Sequence, residues 1–270
     1  MPRAGRTRPT RRAGTTVVGA QRVPDATATF WVLKGLSTAL GEATSDFLVH
    51  TMVPQLAVVL GFLVFLGALL LQFRQRRYVA WAYWFAVGSV GVFGTMAADV
   101  VHVALGVPYP ASTALAAAVL VAVFVTWRRT ERALSIHDVR SPRQEVFYWA
   151  AVVSTFAMGT ALGDFSAYTL HFGYFSSAAV FAGVILIPAI GFRLFRWNAV
   201  FSFWFAYVVT RPLGASIADG LGKPKDVSGL GLGNGWVALV LGVLIFVLVA
   251  VLAFSRSGAH SKATVSAKRA

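Results

Sequence analysis

The stretch KGLSTALGEATSD, Lys34–Asp46, sets a lysine, a glutamate and an aspartate inside a run from Phe30 to Met52 that is otherwise apolar. In a soluble helix these residues would form a solvated face. The rest of the chain rules that out. Of its 270 residues 57% are hydrophobic and only 13% charged, and its mean hydropathy is +0.69, too apolar for a soluble domain. The charges of Lys34–Asp46 therefore have to be accommodated in a bilayer. At roughly 2.5–3.5 kcal/mol for each charge at a helix centre, they would burden a lone helix by about 7–10 kcal/mol. Such a helix needs partners.

Charge-poor runs long enough to cross about 30 Å of hydrocarbon occur eight times, at 29–50, 53–73, 78–105, 110–127, 146–171, 172–192, 199–221 and 231–254. The even-numbered runs are uninterrupted and apolar, whereas each odd-numbered run carries at least one acid. Twenty of the 24 Lys and Arg fall in the N-terminal segment, the Arg74–Arg77 and Arg128–Arg143 connections, Arg193, Arg196 and the C-terminal segment. Every second connection is thus basic, and the positive-inside rule predicts an all-α bundle of eight transmembrane helices with both termini cytoplasmic. Residues 1–27 are expected to be a disordered basic tail without the apolar core of a secretory signal. A single membrane domain should follow over 28–255, with a cytoplasmic tail at 256–270. The net charge of +14 belongs to this topology and does not call for a nucleic-acid partner. With no cysteine there can be no disulfide and no thiolate centre.

Aligned on their aspartates, the odd runs give GEATSD ending at Asp46, GTMAAD at Asp99, GTALGD at Asp164 and GASIAD at Asp219. All four read Gly-x3-small-Asp. Chance at an average glycine frequency of about 7% would produce this on the order of once in 10⁴ to 10⁵ trials, so an internal repeat is the economical explanation. The copies run over about 28–73, 78–127, 146–192 and 197–254. Each contains two spans and so re-enters the membrane in the same direction, which makes the repetition parallel and sets the four aspartates at a common depth. The glycine and the small residue four positions later permit close helix contact. The aspartate lies about 100° around the helix from that seam, facing a central space if the odd helices cluster.

Counting the expected interior gives five acids, Glu42, Asp46, Asp99, Asp164 and Asp219, against Lys34 and Arg211. Carboxylates crowded at one level in a low dielectric cannot all stay charged alone, so protons or a bound cation supply the missing charge. Acid rings are also how cation pathways select their ion. His50, His102 and His171 follow the first three aspartates at helical spacing, and mixed oxygen and nitrogen ligands suit divalent metals. They are the weaker candidates, since an outer interface also tolerates polar rings. The aromatics of YVAWAYWF and FRWNAVFSFWF follow cytoplasmic arginines and are expected to anchor the interface.

The four copies, above all FWVLKGLSTALGEATSDF, resemble a bacterial family of uncharacterised membrane-anchored proteins built from a tandem repeat of unknown function. The resemblance covers about Phe30 to Phe254. Copies two to four lack the lysine and the glutamate, so the full motif is confined to copy one. It implies a multi-pass protein of the bacterial inner membrane and transfers no chemistry. Two function classes follow from the residues. One is a secondary transporter or exporter of a small cation, either a metal or a proton-coupled solute, using the aspartate ring with Glu42. The other is a non-transporting scaffold or complex subunit whose aspartates hold the bundle together. No Ser/His/Asp spacing, His-Glu-x-x-His or nucleotide loop is present, so enzymatic activity is not expected. Nor is any cofactor beyond a bound divalent cation or protons. The partners expected are the lipid bilayer and the cation.

Overall fold

The structure, a computed structural model, describes residues 20–132 and 134–267, with side chains through residue 254. Eight long helices account for nearly all of it: α1 (Ala28–Thr51), α2 (Pro54–Arg74), α3 (Ala80–Asp99), α4 (Tyr109–Glu131), α5 (Pro142–Asp164), α6 (Gly173–Leu194), α7 (Ala199–Gly222) and α8 (Asn234–Ala267). No strand occurs among the described residues. Local chemistry starts the helices where expected. Ser141 and Gln144 form a reciprocal capping box ahead of Pro142, and the Asn198 side chain accepts from the amides of Val200 and Phe201. Among the described residues, seven helices are long and apolar enough to cross a membrane. The chain is an integral, multi-pass membrane protein. The exception is α1, which is long enough at 24 residues but carries Lys34, Glu42 and Asp46.

The helices sort into two shells. α1 packs on α3, α3 on α5, α5 on α7 and α7 on α1, so the four acid-bearing helices close a ring. Outside it, α2 packs on α3, α4 on α5, α6 on α7 and α8 on α1. Burial follows this order. Over an apolar 18-residue stretch of each, 50, 61 and 56% of the residues are buried in the α3, α5 and α7 spans, against 17, 17, 22 and 11% for α2, α4, α6 and α8. The apolar even helices form the lipid-facing wall because their side chains have nothing polar to hide.

Two sets of contacts repeat around the ring. The glycine five residues before each aspartate meets the residue eight before the aspartate of the next copy: Gly41 meets Gly91, Gly94 meets Phe156, Gly159 meets Arg211, and Gly214 meets Thr38. A methyl group on Gly41 would lie 2.7 Å from the Gly91 backbone, so two main chains touch there and only glycine fits. Nearer the helix starts, each copy carries an aromatic residue followed by tryptophan. These pack in the same order: Phe30 on Trp84 at 5.7 Å, Tyr83 on Trp149 at 5.6 Å, Tyr148 on Trp204 at 6.0 Å and Phe203 on Trp31 at 5.5 Å between centroids.

These aromatics correct the interface-anchor expectation. Trp81, Phe85, Trp197 and Phe201 do face outward, but Tyr83, Trp84 and Trp204 are buried and, with Tyr148 and Tyr207, plug the middle of the ring. The periodicity that puts Trp81 and Phe85 on one helix face puts Tyr83 and Trp84 on the other. The expected tail over residues 1–27 also ends earlier. Arg22 and Val23 are buried, and the Arg22 amide donates to the Val139 carbonyl at 3.1 Å. Residues 1–19 lie outside the described part. At the other end α8 continues through Ala267, so most of the expected 256–270 tail has helical backbone.

Candidate functional site

The last turns of α1 and α7 stand side by side at the aspartate end of the ring. Their acids are oriented by the helices: Glu42 and Asp46 are one turn apart on α1, and Asp219 lies in the last turn of α7, four residues before Lys223. One carboxylate oxygen from each of Glu42, Asp46 and Asp219 lies within 4.8 Å of the other two, and all three residues are buried. Lys223 reaches back over them, its Nζ 3.1 Å from Asp219 Oδ2 and 3.4 Å from Asp46 Oδ2. The Asn234 amide, at the start of α8, donates to Asp46 Oδ2 at 3.2 Å. Above the lysine lie the rings of Tyr174 and Tyr168, 5.3 and 5.8 Å from Nζ, their hydroxyls 2.5 Å apart.

One turn deeper sits Arg211, fully buried and on the ring axis. Its Nη2 donates to Glu42 Oε2 at 2.6 Å, to Thr160 Oγ1 at 2.8 Å and to Thr95 Oγ1, and its Nη1 donates to the Thr38 carbonyl at 2.9 Å. Glu42, Thr95 and Thr160 stand four residues before the aspartates of copies one, two and three. A single guanidinium from copy four is therefore bonded to the equivalent position in each of the others. Deeper still, the Lys34 ammonium lies between the faces of Phe156 and Tyr207, 4.1 and 4.2 Å from their centroids, with no hydrogen-bond partner. Two aromatic faces substitute for an anion there.

The family described as Repeat of Unknown Function (DUF347) matches residues 29–78, 82–133, 147–196 and 202–257, most of the chain. The chain belongs to this family. No curated protein and no solved structure matches it. Each DUF347 copy spans one inner and one outer helix, so the matched boundaries follow the two shells.

Not every predicted site residue joins the cluster. Asp164 is buried and Asp99 half-buried at the ends of α5 and α3, and both interact electrostatically with Glu42 and Asp46, but neither belongs to the 4.8 Å trio. In these two DUF347 copies the helix continues past the aspartate as a π-helical turn, Val100–Ala104 and Phe165–Thr169. Such single wide turns recur at functional sites. Among the described residues the cluster holds no histidine. His50 Nδ1 contacts the Asp46 carbonyl at 2.6 Å, His102 Nδ1 contacts the Val107 carbonyl at 2.8 Å and stacks on Tyr109, and His171 is exposed.

Several site residues escape a reading of the sequence. Lys223 looks like a loop charge, although its position four residues after Asp219 was a signal, since that spacing pairs charges across a helical turn. Thr95 and Thr160 carry none unless the copies are aligned on Glu42. A buried pair at the opposite end of the bundle was also hidden: Glu145 accepts from Arg22 Nη1 at 2.5 Å and from Gln72 Nε2 at 2.8 Å. Glu145 stands one residue before the apolar run that begins at Val146.

Proposed function

We propose that this DUF347 protein is a secondary transporter of a small cation in the bacterial cytoplasmic membrane, with Glu42, Asp46 and Asp219 forming its binding site. Asp99 and Asp164 complete the acidic ring and can share protons or charge with the trio. The observation that carries this reading is the buried convergence of three carboxylates within 4.8 Å, with Lys223 bridging Asp46 and Asp219 and Arg211 paired to Glu42 from beneath. Intramembrane acids cost several kcal/mol unless paired, so their concentration at one level favours a role beyond helix contact. The glycine and aromatic contacts, cyclic in the same order at two levels, support four parallel copies around a central axis. With α1 as the eighth span and the arginine-rich connections inside, the acid ring faces the exterior. Arg211, Lys34 and the aromatic plug seal the axis beneath it, which favours a carrier that alternates access over an open pore.

The test is flux. Proteoliposomes holding the wild-type protein should accumulate at least one cation from a panel of metal and organic ions, with or without a pH gradient. Asp219→Asn and Asp164→Asn should insert normally and abolish the flux. A scaffold role is the second reading, favoured by the Arg211 network that joins all four copies. It predicts that the same asparagine variants lower protein abundance and that no cation is moved.

A further inference from the structure

We propose that the site is built to take a primary alkylammonium, and that Lys223 is its tethered stand-in. This rests on the cation-transport reading and narrows the substrate class. The Lys223 ammonium is itself an alkylammonium in place, held between two carboxylates and two tyrosine faces. Aromatic faces attract an ammonium through their quadrupole, whereas a divalent metal ion is held by oxygen lone pairs, which the faces of Tyr168 and Tyr174 do not offer.

The hydrogen-bond inventory points the same way. Asp219 is 3% exposed, yet its Oδ1 has no hydrogen-bond partner, and neither does Asn234 Oδ1. Lys223 thus leaves acceptors in the site unfilled. A buried acceptor without a donor is costly, and a ligand bringing three N–H groups relieves it. Lys223 can yield. It is the first residue beyond α7, its side chain is 19% exposed, and its four-carbon stem can carry the ammonium out toward Tyr168, which is 39% exposed. Exchanging one ammonium for another leaves the charge of the site unchanged.

The experiment is calorimetric titration of the full-length protein in lipid nanodiscs at constant ionic strength, using methylammonium, tetramethylammonium, sodium and manganese(II). Lys223→Met should bind methylammonium at least tenfold more tightly than wild type, because the internal competitor is gone. Tetramethylammonium, with no N–H donor, should bind at least tenfold more weakly than methylammonium. Tyr168→Leu, at a position 39% exposed, should weaken methylammonium several-fold and leave sodium unchanged. If sodium or manganese binds and methylammonium binds neither wild type nor Lys223→Met, the ammonium assignment falls while cation transport stands. Equal binding of tetramethylammonium and methylammonium also overturns it. If no cation binds any of these proteins in folded form, both readings fall.

Discussion

Replacing Arg211 by methionine tests whether one guanidinium holds the four copies together. The Arg211 side chain is fully buried and its partner Glu42 is 3% exposed, with 2.6 Å between Nη2 and Oε2. The neutral contacts contribute little to the expected loss, because Thr95 and Thr160 keep their bonds to the Gly91 and Phe156 carbonyls at 3.0 and 3.1 Å. What is lost is the counter-charge. Glu42 is left buried without its cation, the single Thr95 O–H 3.3 Å away being shared with the Gly91 carbonyl, and removing one member of such a pair costs about 3–5 kcal/mol. Arg211→Met should therefore destabilise the protein by that amount, and Arg211→Met with Glu42→Gln should recover about 2–3 kcal/mol of it. Reversible unfolding in mixed micelles with increasing dodecyl sulfate, followed by the fluorescence of the eight tryptophans, measures both. A loss under about 1 kcal/mol, or a double variant as unstable as the sum of the singles, would refute the assignment of Arg211 as the hub.

Gly159→Ala should cost about 1–3 kcal/mol in the same assay, since the new methyl would meet Pro212 Cδ at 3.0 Å and the Arg211 stem closer still. Gly67→Ala, on the outer helix with nothing within 4 Å, should be neutral or gain up to about 1 kcal/mol. Glu145→Ala should cost about 3–5 kcal/mol by leaving Arg22 uncompensated. Glu131→Ala, whose partner Arg143 is 70% exposed, should cost under about 1 kcal/mol. The absence of cysteine allows topology to be mapped directly. Single cysteines at Met52, Gly106 and Phe172 should react with a membrane-impermeant maleimide from outside, and those at Arg76 and Arg129 only after lysis; equal labelling of the two groups in intact cells defeats the assigned orientation.

The shells of the bundle were legible because they depend on local pattern. Alternating acid-bearing and acid-free runs become inner and outer helices, and Gly-x3-small-Asp marks where the inner helices touch. The identity of the cluster was less legible. Four aligned aspartates suggest four equal partners, yet the tight trio takes two acids from copy one and one from copy four. That pairing arises where α7 closes on α1, a contact between the ends of the membrane domain that no local pattern encodes. The aromatic-tryptophan pairs were present in every copy, at Phe30, Tyr83, Tyr148 and Phe203, but in a membrane sequence interfacial aromatics conceal buried ones. Glu145 was hidden by its place at the edge of an apolar run, where charge is ordinary.

The departures from fourfold equivalence are not scattered. Lys34 and Glu42 lie on α1, and Arg211 and Lys223 lie on or just beyond α7, while α3 and α5 place valine, glycine, threonine or aromatic residues at positions equivalent to Lys34, Glu42 and Arg211. Among the described residues, the ion pairs between inner helices all lie at the α7–α1 seam. Four similar copies could close with the wrong neighbours at little cost in apolar packing, since each glycine seam resembles the next. Fixed charges on two helices remove that degeneracy: Glu42 left beside α3 or α5 alone would lack a cation, and only α7 brings Arg211. The same charges make α1 the one helix too polar to be favoured in lipid by itself. A lone α1 carrying all three charges would cost about 7–10 kcal/mol, and α7 reduces that cost by bringing Arg211 to Glu42 and Lys223 to Asp46. A bundle missing its last repeat therefore lacks Arg211, Asp219 and Lys223, and with them the site as well as the seam.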